Sequence, residues 1–224
     1  MAENPVGKAE PIEEFPECGP SSLKTMAEWA SRCRACDLWH DATQTVVGEG
    51  PRSALLMLVG EQPGDREDIA GKPFVGPAGN LLDRALDEAS VDRQAAYVTN
   101  AVKHFKFQQR GKRRLHKRPD VGEIETCRWW LDQEVRLVKP GGILAMGATA
   151  ARSLLRRPTT ISRVRGQVQP YEFASFPCLI LVTVHPSALL RMPDEDSRHA
   201  AFADFVRDIR TLWQALDKAK ARSR

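Results

Sequence analysis

No run of about 18 apolar residues occurs in the 224-residue chain, which predicts that no helix spans a membrane. The opening residues, Met1-Ala2-Glu3-Asn4-Pro5, lack the basic start and apolar stretch of a secretory signal. The expected home is therefore the cytoplasm. Cysteine is scarce, with five residues at 18, 33, 36, 127 and 178. An odd number disfavours a closed disulfide framework and suits a metal or free thiols. No internal repeat is visible. What the chain does have is 42% hydrophobic and 28% charged residues, a globular balance rather than a disordered or collagen-like one. At roughly 150 residues per domain, this length suits one domain with a tail and a core that needs no staples.

Acidic residues are missing from two stretches. Lys103–Arg118 carries eight basic residues and no acid, and Val135–Tyr171 carries seven and no acid. An isolated basic run is usually a solvated loop. Two acid-free stretches in a chain of net charge +4 point instead to a polyanion such as nucleic acid. The first twenty residues run the other way, with five Glu, one Lys and four Pro, and read as a flexible acidic tail, leaving 21–224 as the folded domain.

Four apolar runs read as buried strands: Ala54–Gly60, Ala96–Asn100, Gly142–Gly147 and Leu179–Val184. Helical stripes separate them. Leu81, Leu82, Ala85, Leu86 and Ala89 form one. Ile124, Cys127, Leu131, Val135 and Val138 form another, stopped by Pro140-Gly141. Ala148–Arg157 is a third, stopped by Pro158. A last helix runs through Phe202, Phe205, Val206, Ile209, Leu212, Trp213 and Leu216, with Asp196 or Ser197 as its cap. Thr45–Val47 and Val164–Phe173 read as edge strands or hairpins. Alternating strands and helices imply right-handed crossovers, hence an α/β fold of three layers, α/β/α, around a central four-stranded parallel sheet. Ligands bind such sheets at the carboxyl ends of the strands. Those ends carry Gly60-Glu61-Gln62-Pro63-Gly64-Asp65, Thr99-Asn100, Gly147 and His185-Pro186-Ser187.

Four separated motifs, GEQPGD (60–65), KPFVGPAGNLLD (72–83), VTN (98–100) and HPSALLR (185–191), together resemble the uracil-DNA glycosylase superfamily in its iron–sulfur branch. The resemblance runs from about Arg32 to the last helix. The insert QQRGKRRLHKRP (108–119) resembles that of an X-type subgroup whose members bond covalently to DNA after removing uracil. The implied activity is excision of uracil from DNA, single-stranded by preference, followed by capture of the abasic site.

The resemblance implies a role for each residue. Asn100 reads the pyrimidine edge, because its amide offers both donor and acceptor. Taken alone, it could equally cap a turn. Phe74 stacks on the base, or is a core aromatic. Gly60 and Gln62 form the base-contact turn, Gln62 partly through its backbone. His185 donates a hydrogen bond as charge develops on uracil. Ser187 and Arg191 share its loop, with Arg191 on phosphate, and Leu189 or Leu190 fills the space left by the extruded base. Gly76–Asn80 opens a helix that could hold phosphate. His116 is the expected nucleophile at C1′, with Glu61 or else Asp65 as its partner. The plain alternative is that His116 touches phosphate among Lys112, Arg113, Arg114, Lys117 and Arg118, the DNA-binding residues of the basic loop 105–119.

Cys33-Arg34-Ala35-Cys36 has C-x2-C spacing, which suits a single metal centre. In the related iron–sulfur enzymes two further cysteines complete the set. Cys127 matches one, and His104 stands where the other would be. The resemblance thus implies Cys33, Cys36, Cys127 and His104 around a structural 4Fe-4S cluster that orders the basic loop. Cys178 is the rival fourth ligand and zinc the rival metal; Cys18 is expected to be free. Monomeric action on uracil-containing DNA is the expectation. The rivals are a conventional glycosylase that turns over, and a non-catalytic iron–sulfur module that binds DNA.

Overall fold

The computed structural model describes residues 10–173 and 175–222. In chain order the elements are α1 (Leu23–Ala30), α2 (Leu38–Asp41), β1 (Leu56–Gly60), α3 (Asp65–Ala70), α4 (Pro77–Glu88), β2 (Ala96–Asn100), β3 (Phe107–Arg110), β4 (Arg113–His116), α5 (Val121–Val138), β5 (Gly142–Met146), α6 (Ala148–Leu155), α7 (Ile161–Val164), β6 (Gln169–Phe173), β7 (Phe176–Thr183), α8 (Pro186–Leu190) and α9 (Glu195–Arg222). The main sheet has the order β2-β1-β5-β7-β6. Its first four strands are parallel, and β6 pairs antiparallel with β7. The expected four-stranded parallel sheet is present and gains a fifth, antiparallel strand at one edge. Pro170 lacks an N–H to offer a neighbour on both sides, so an edge suits this segment.

β1, β2 and β5 are buried along their whole length. That burial requires helices on both faces. The side chains alternate accordingly. Leu56, Leu58, Val98, Leu144 and Met146 join the core under α4 and α9, while Met57, Val59, Tyr97, Ile143 and Ala145 join the core under α5 and α6. A third cluster packs α1 against α5 around Met26, Ala30, Cys33, Cys127 and Trp130.

Helix ends follow local chemistry. On α5, the Asp120 side chain accepts from Glu123 N at 3.0 Å while Glu123 Oε2 accepts from Asp120 N at 2.7 Å. α5 and α6 stop at Lys139 and Arg156, both left-handed, just ahead of Pro140 and Pro158. The cap of α9 is Asp194, whose Oδ2 accepts from Ser197 N at 2.7 Å, two residues before the earlier of the two expected caps. Thr45–Val47 forms no strand; instead Val46 N donates to Lys103 O and Glu49 bridges Val98.

The expected tail is partly folded. Ile12 bridges Cys33, and Phe15 stacks on Trp129 with ring centroids 4.8 Å apart. Two apolar side chains anchor residues 10–20 despite their acidic, Pro-rich setting. Residues 1–9 lie outside the described residues. The basic loop is also more regular than a loop, because β3 and β4 form a hairpin in which Phe107 pairs with His116 and Gly111 turns at φ 58°. No helix among the described residues is long and apolar enough to cross a membrane.

Candidate active site

The carboxyl ends of the parallel strands open into a cleft of about 970 Å³. Glu61, Gln62, Asp65, Phe74, Asn100, His116, Gly147, His185, Ser187 and Arg191 line it. The residues expected to act on the base and sugar therefore converge, although they come from four strand ends and the hairpin.

One wall is built for a flat ring. Asn100 is 3% exposed, and its Oδ1 has no hydrogen-bond partner. A buried, unpaired carboxamide oxygen is costly unless something else fills its need. Gly60 makes room for it, since a Cβ there would meet Asn100 Oδ1 at 2.3 Å and Phe74 Cζ at 2.6 Å. Phe74 sits at φ 59°, an uncommon backbone region for a bulky residue. Its ring lies 6.0 Å from that of His185.

The hydrogen bonds of His185 define its proton. Ser187 N donates to His185 Nδ1 at 3.2 Å, so Nδ1 is an acceptor and cannot carry hydrogen. The neutral ring must then hold its proton on Nε2. Burial pushes its pKa down to about 4, and nearby Glu61 only partly opposes that. At neutral pH His185 is an uncharged donor. Arg191 Nη1 reaches Ser187 Oγ at 3.3 Å. Leu189 is core, whereas Leu190 is 44% exposed and lines the cleft.

The same cleft carries Glu61 and His116. Glu61 Oε1 is 3.3 Å from His116 Nε2, and Oε2 accepts from the Thr149 hydroxyl at 2.6 Å. Arg118 Nε stands 4.0 Å from the same carboxylate. Of the two expected partners for His116, Glu61 is the one in contact. Asp65 pairs instead with Arg114 at 2.6 Å.

Two polar clamps hold the hairpin. Gln62 donates to Lys106 O at 3.0 Å and Lys117 O at 3.1 Å and accepts from Lys106 N at 3.1 Å. Its side chain ties the hairpin base, so only its backbone is left for the expected base contact. Arg114 pairs with Asp65 and with the fully buried Asp68, and its guanidinium lies over Phe107 at 5.1 Å. Arg114 is thus committed within the protein, whereas Lys112, Arg113, Lys117 and Arg118 are exposed.

The expected metal ligands lie beside α5. Cys33, Cys36 and Cys127 are free thiols sharing one cluster, and the first two add to the upward shift of Cys127. Burial, the larger effect, pushes Cys127 up to about 12. Trp130 Nε1 donates to Cys33 Sγ and Lys103 N to Cys127 Sγ, each at 3.2 Å. His104 is 3% exposed, and burial lowers its pKa to about 4. Thr45 donates its single hydroxyl proton to Ala30 O at 2.8 Å, so its contact with His104 Nε2 at 2.9 Å needs the ring to donate. Nδ1 is then the lone-pair nitrogen, and an outer-shell partner of this kind is what orients a ligating imidazole. The donor set therefore has the right chemistry for iron–sulfur ligation. Among the described residues, no three His, Cys, Asp or Glu converge on a geometry for a single metal ion. Cys178 is a buried core thiol in β7, packed in the cluster on the α5 and α6 face, and Cys18 is exposed.

Sequence reasoning missed Thr149, Thr45, Asp68, Lys103 and Glu134. Each has a partner far along the chain, Glu134 in the case of Lys103, so no local pattern marks it.

The family model of the uracil DNA glycosylase superfamily matches residues 47–210. The chain belongs to the uracil-DNA glycosylase superfamily. A type-4 uracil-DNA glycosylase of Pyrobaculum aerophilum is 34% identical over 175 residues, covering 76% of this chain and 86% of the relative. One from Thermotoga maritima is 32% identical over 183 residues, covering 81% and 90%. One from Archaeoglobus fulgidus is 34% identical, covering 77% and 85%. The superfamily match spans the strand ends that line the cleft, the hairpin and the wall that carries His185.

Proposed function

We propose that this superfamily member excises uracil from DNA, single-stranded by preference, and is then captured at the abasic site through His116. The observation that carries the reading is the 3.3 Å contact between His116 and Glu61 in the same cleft as Asn100, Phe74 and His185.

An extruded uracil stacks on Phe74, and the Asn100 carboxamide pairs with its polar edge. His185 donates through Nε2–H to a uracil oxygen. A neutral donor suits a leaving group that becomes an anion as the C1′–N1 bond breaks. The bonding pair leaves with N1, and the sugar becomes oxocarbenium-like. Glu61, held by Thr149, offsets the positive charge on the sugar. A ring nitrogen of His116 then gives its lone pair to C1′, and Glu61 balances the imidazolium that forms. An N-alkylated imidazole is a poor leaving group, so the protein stays attached and acts once. Lys112, Arg113, Lys117, Arg118 and Arg191 hold phosphates, and Leu190 fills the gap left by the base.

Cys33, Cys36, Cys127 and His104 hold a 4Fe-4S cluster, which when bound supplies a structural cross-link between the C-x2-C turn and α5. Iron and acid-labile sulfide should be found in the purified protein; zinc alone would contradict this part of the reading.

The activity is tested by mixing the protein with labelled single-stranded oligonucleotides that carry uracil or thymine. The expected result is a band that survives SDS and heat, with uracil only. Alkali-labile abasic DNA with many turnovers and no such band would mean a conventional glycosylase. Absence of both signals would overturn the enzyme reading.

A further inference from the structure

One buried ion pair plays no part in the chemistry above, yet it lies directly behind Asn100. Lys103 Nζ is 2.7 Å from Glu134 Oε2, and both side chains are 0% exposed. Lys103 Nζ also donates to the backbone oxygen of Asn100 at 2.6 Å and to Thr99 Oγ1 at 2.7 Å. Glu134 is fully engaged: Oε1 accepts from Gly48 N at 2.7 Å and Tyr97 Oη at 3.3 Å, and Oε2 also accepts from Thr99 Oγ1 at 2.8 Å. The backbone N–H of Lys103 goes to Cys127 Sγ.

Stability alone is a poor reason for such a pair, because apolar packing of the same shape commonly serves as well. Its location suggests another. β2 is an edge strand of the sheet with Asn100 as its last residue, and the carbonyl there is taken up by the ammonium. The Asn100 carboxamide has no bond to its Oδ1, and that oxygen lies over the space that the missing side chain of Gly60 leaves. The Lys103 bond instead holds the residue from its backbone side. Orientation also matters chemically. Uracil presents an N–H beside a carbonyl; cytosine presents an acceptor nitrogen beside an amino group. A carboxamide set one way pairs with uracil, and turned over it pairs with cytosine.

We propose that Lys103, held by Glu134, is a positioning residue that fixes the Asn100 carboxamide for uracil and against cytosine. This rests on the reading of Asn100 as the pyrimidine reader. The same residue joins that orientation to the thiol of Cys127.

The test is the double variant Lys103→Met/Glu134→Gln, which removes both charges while Gln still accepts from Gly48 N and meets Thr99. Four quantities are read against wild type: single-turnover uracil release, release of cytosine from a matching oligonucleotide, affinity for single-stranded abasic DNA, and the NMR signals of the Asn100 side-chain amide. Uracil release should fall roughly tenfold to hundredfold, the scale expected from misplacing a group by about an ångström. The preference for uracil over cytosine should shrink, DNA affinity should stay as in wild type, and the amide signals should shift or broaden. If the double variant does not fold, Glu134→Gln alone should show the same split in smaller measure. Unchanged amide signals with unchanged release would overturn the proposal. So would equal losses of release and DNA affinity with unchanged amide signals, which mean structural support only. If wild type releases no uracil, the functional reading fails, while the amide signals still decide whether Lys103 orients Asn100.

Discussion

The two walls of the cleft are built in opposite ways. Gly60, Asn100 and His185 stand at the ends of strands rooted in the core, and Phe74 joins them from the turn ahead of α4. The wall that carries His116 is a short exposed hairpin, and two side chains, Gln62 and Arg114, hold it in register. On the proposed function, the contrast teaches that base recognition and capture would be separable. The first belongs to the sheet, and the second is attached to it by a few polar contacts.

The largest effect should come from Gly60→Val. Its side chain would enter space held by Asn100 and Phe74, and uracil release should drop by more than roughly 10²-fold with an unchanged far-UV spectrum. His185→Gln should slow release by about 10²- to 10³-fold, the range for losing one preorganised donor. Rapid-quench single-turnover assays measure both. Arg114→Gln loosens the hairpin alone. Adduct yield should fall about tenfold while uracil release stays within about twofold, and a matching loss in both would break the separation. Arg113→Gln should have the smallest effect, lowering the salt slope of single-strand binding by about 0.7 as one phosphate contact is lost.

The strand-rooted wall also has a pH signature. The pKa of His185 is lowered from 6.5 to about 4 in the folded protein, so folding favours its neutral form. The stability this brings is complete above pH 6.5 and is lost as pH falls toward 4; it is on the order of 3 kcal/mol. Urea midpoints measured from pH 7 to pH 4 should fall, and His185→Gln should flatten that fall.

The sheet was legible because continuous apolar runs bounded by Gly, Pro and Asn mark strands buried on both faces. β2 ends where expected, and Glu61, Asn100 and His185 lie at or just after the ends of parallel strands, where open α/β sheets bind ligands. The basic run was legible only as a count. Lys103, Lys106 and Arg114 turn inward to Glu134, Glu123 and Asp68, which lie 31, 17 and 46 residues away. Acids so distant do not interrupt a local charge pattern, so a run that reads as one surface is partly internal wiring. Thr149 was invisible for a similar reason, as a threonine opening a helix carries no mark of the carboxylate it will hold. Within residues 10–20, composition gave no sign of the contacts that Ile12 and Phe15 make with Cys33 and Trp129.

The central claim is that His116 is the point of attachment. The direct measurement is peptide mass spectrometry of the protein after reaction with a uracil oligonucleotide and nuclease trimming. The account expects the sugar-phosphate mass on His116, with the adduct lost in His116→Ser while uracil release persists. An adduct on any other residue, or an unmodified His116 after complete uracil release, would contradict it.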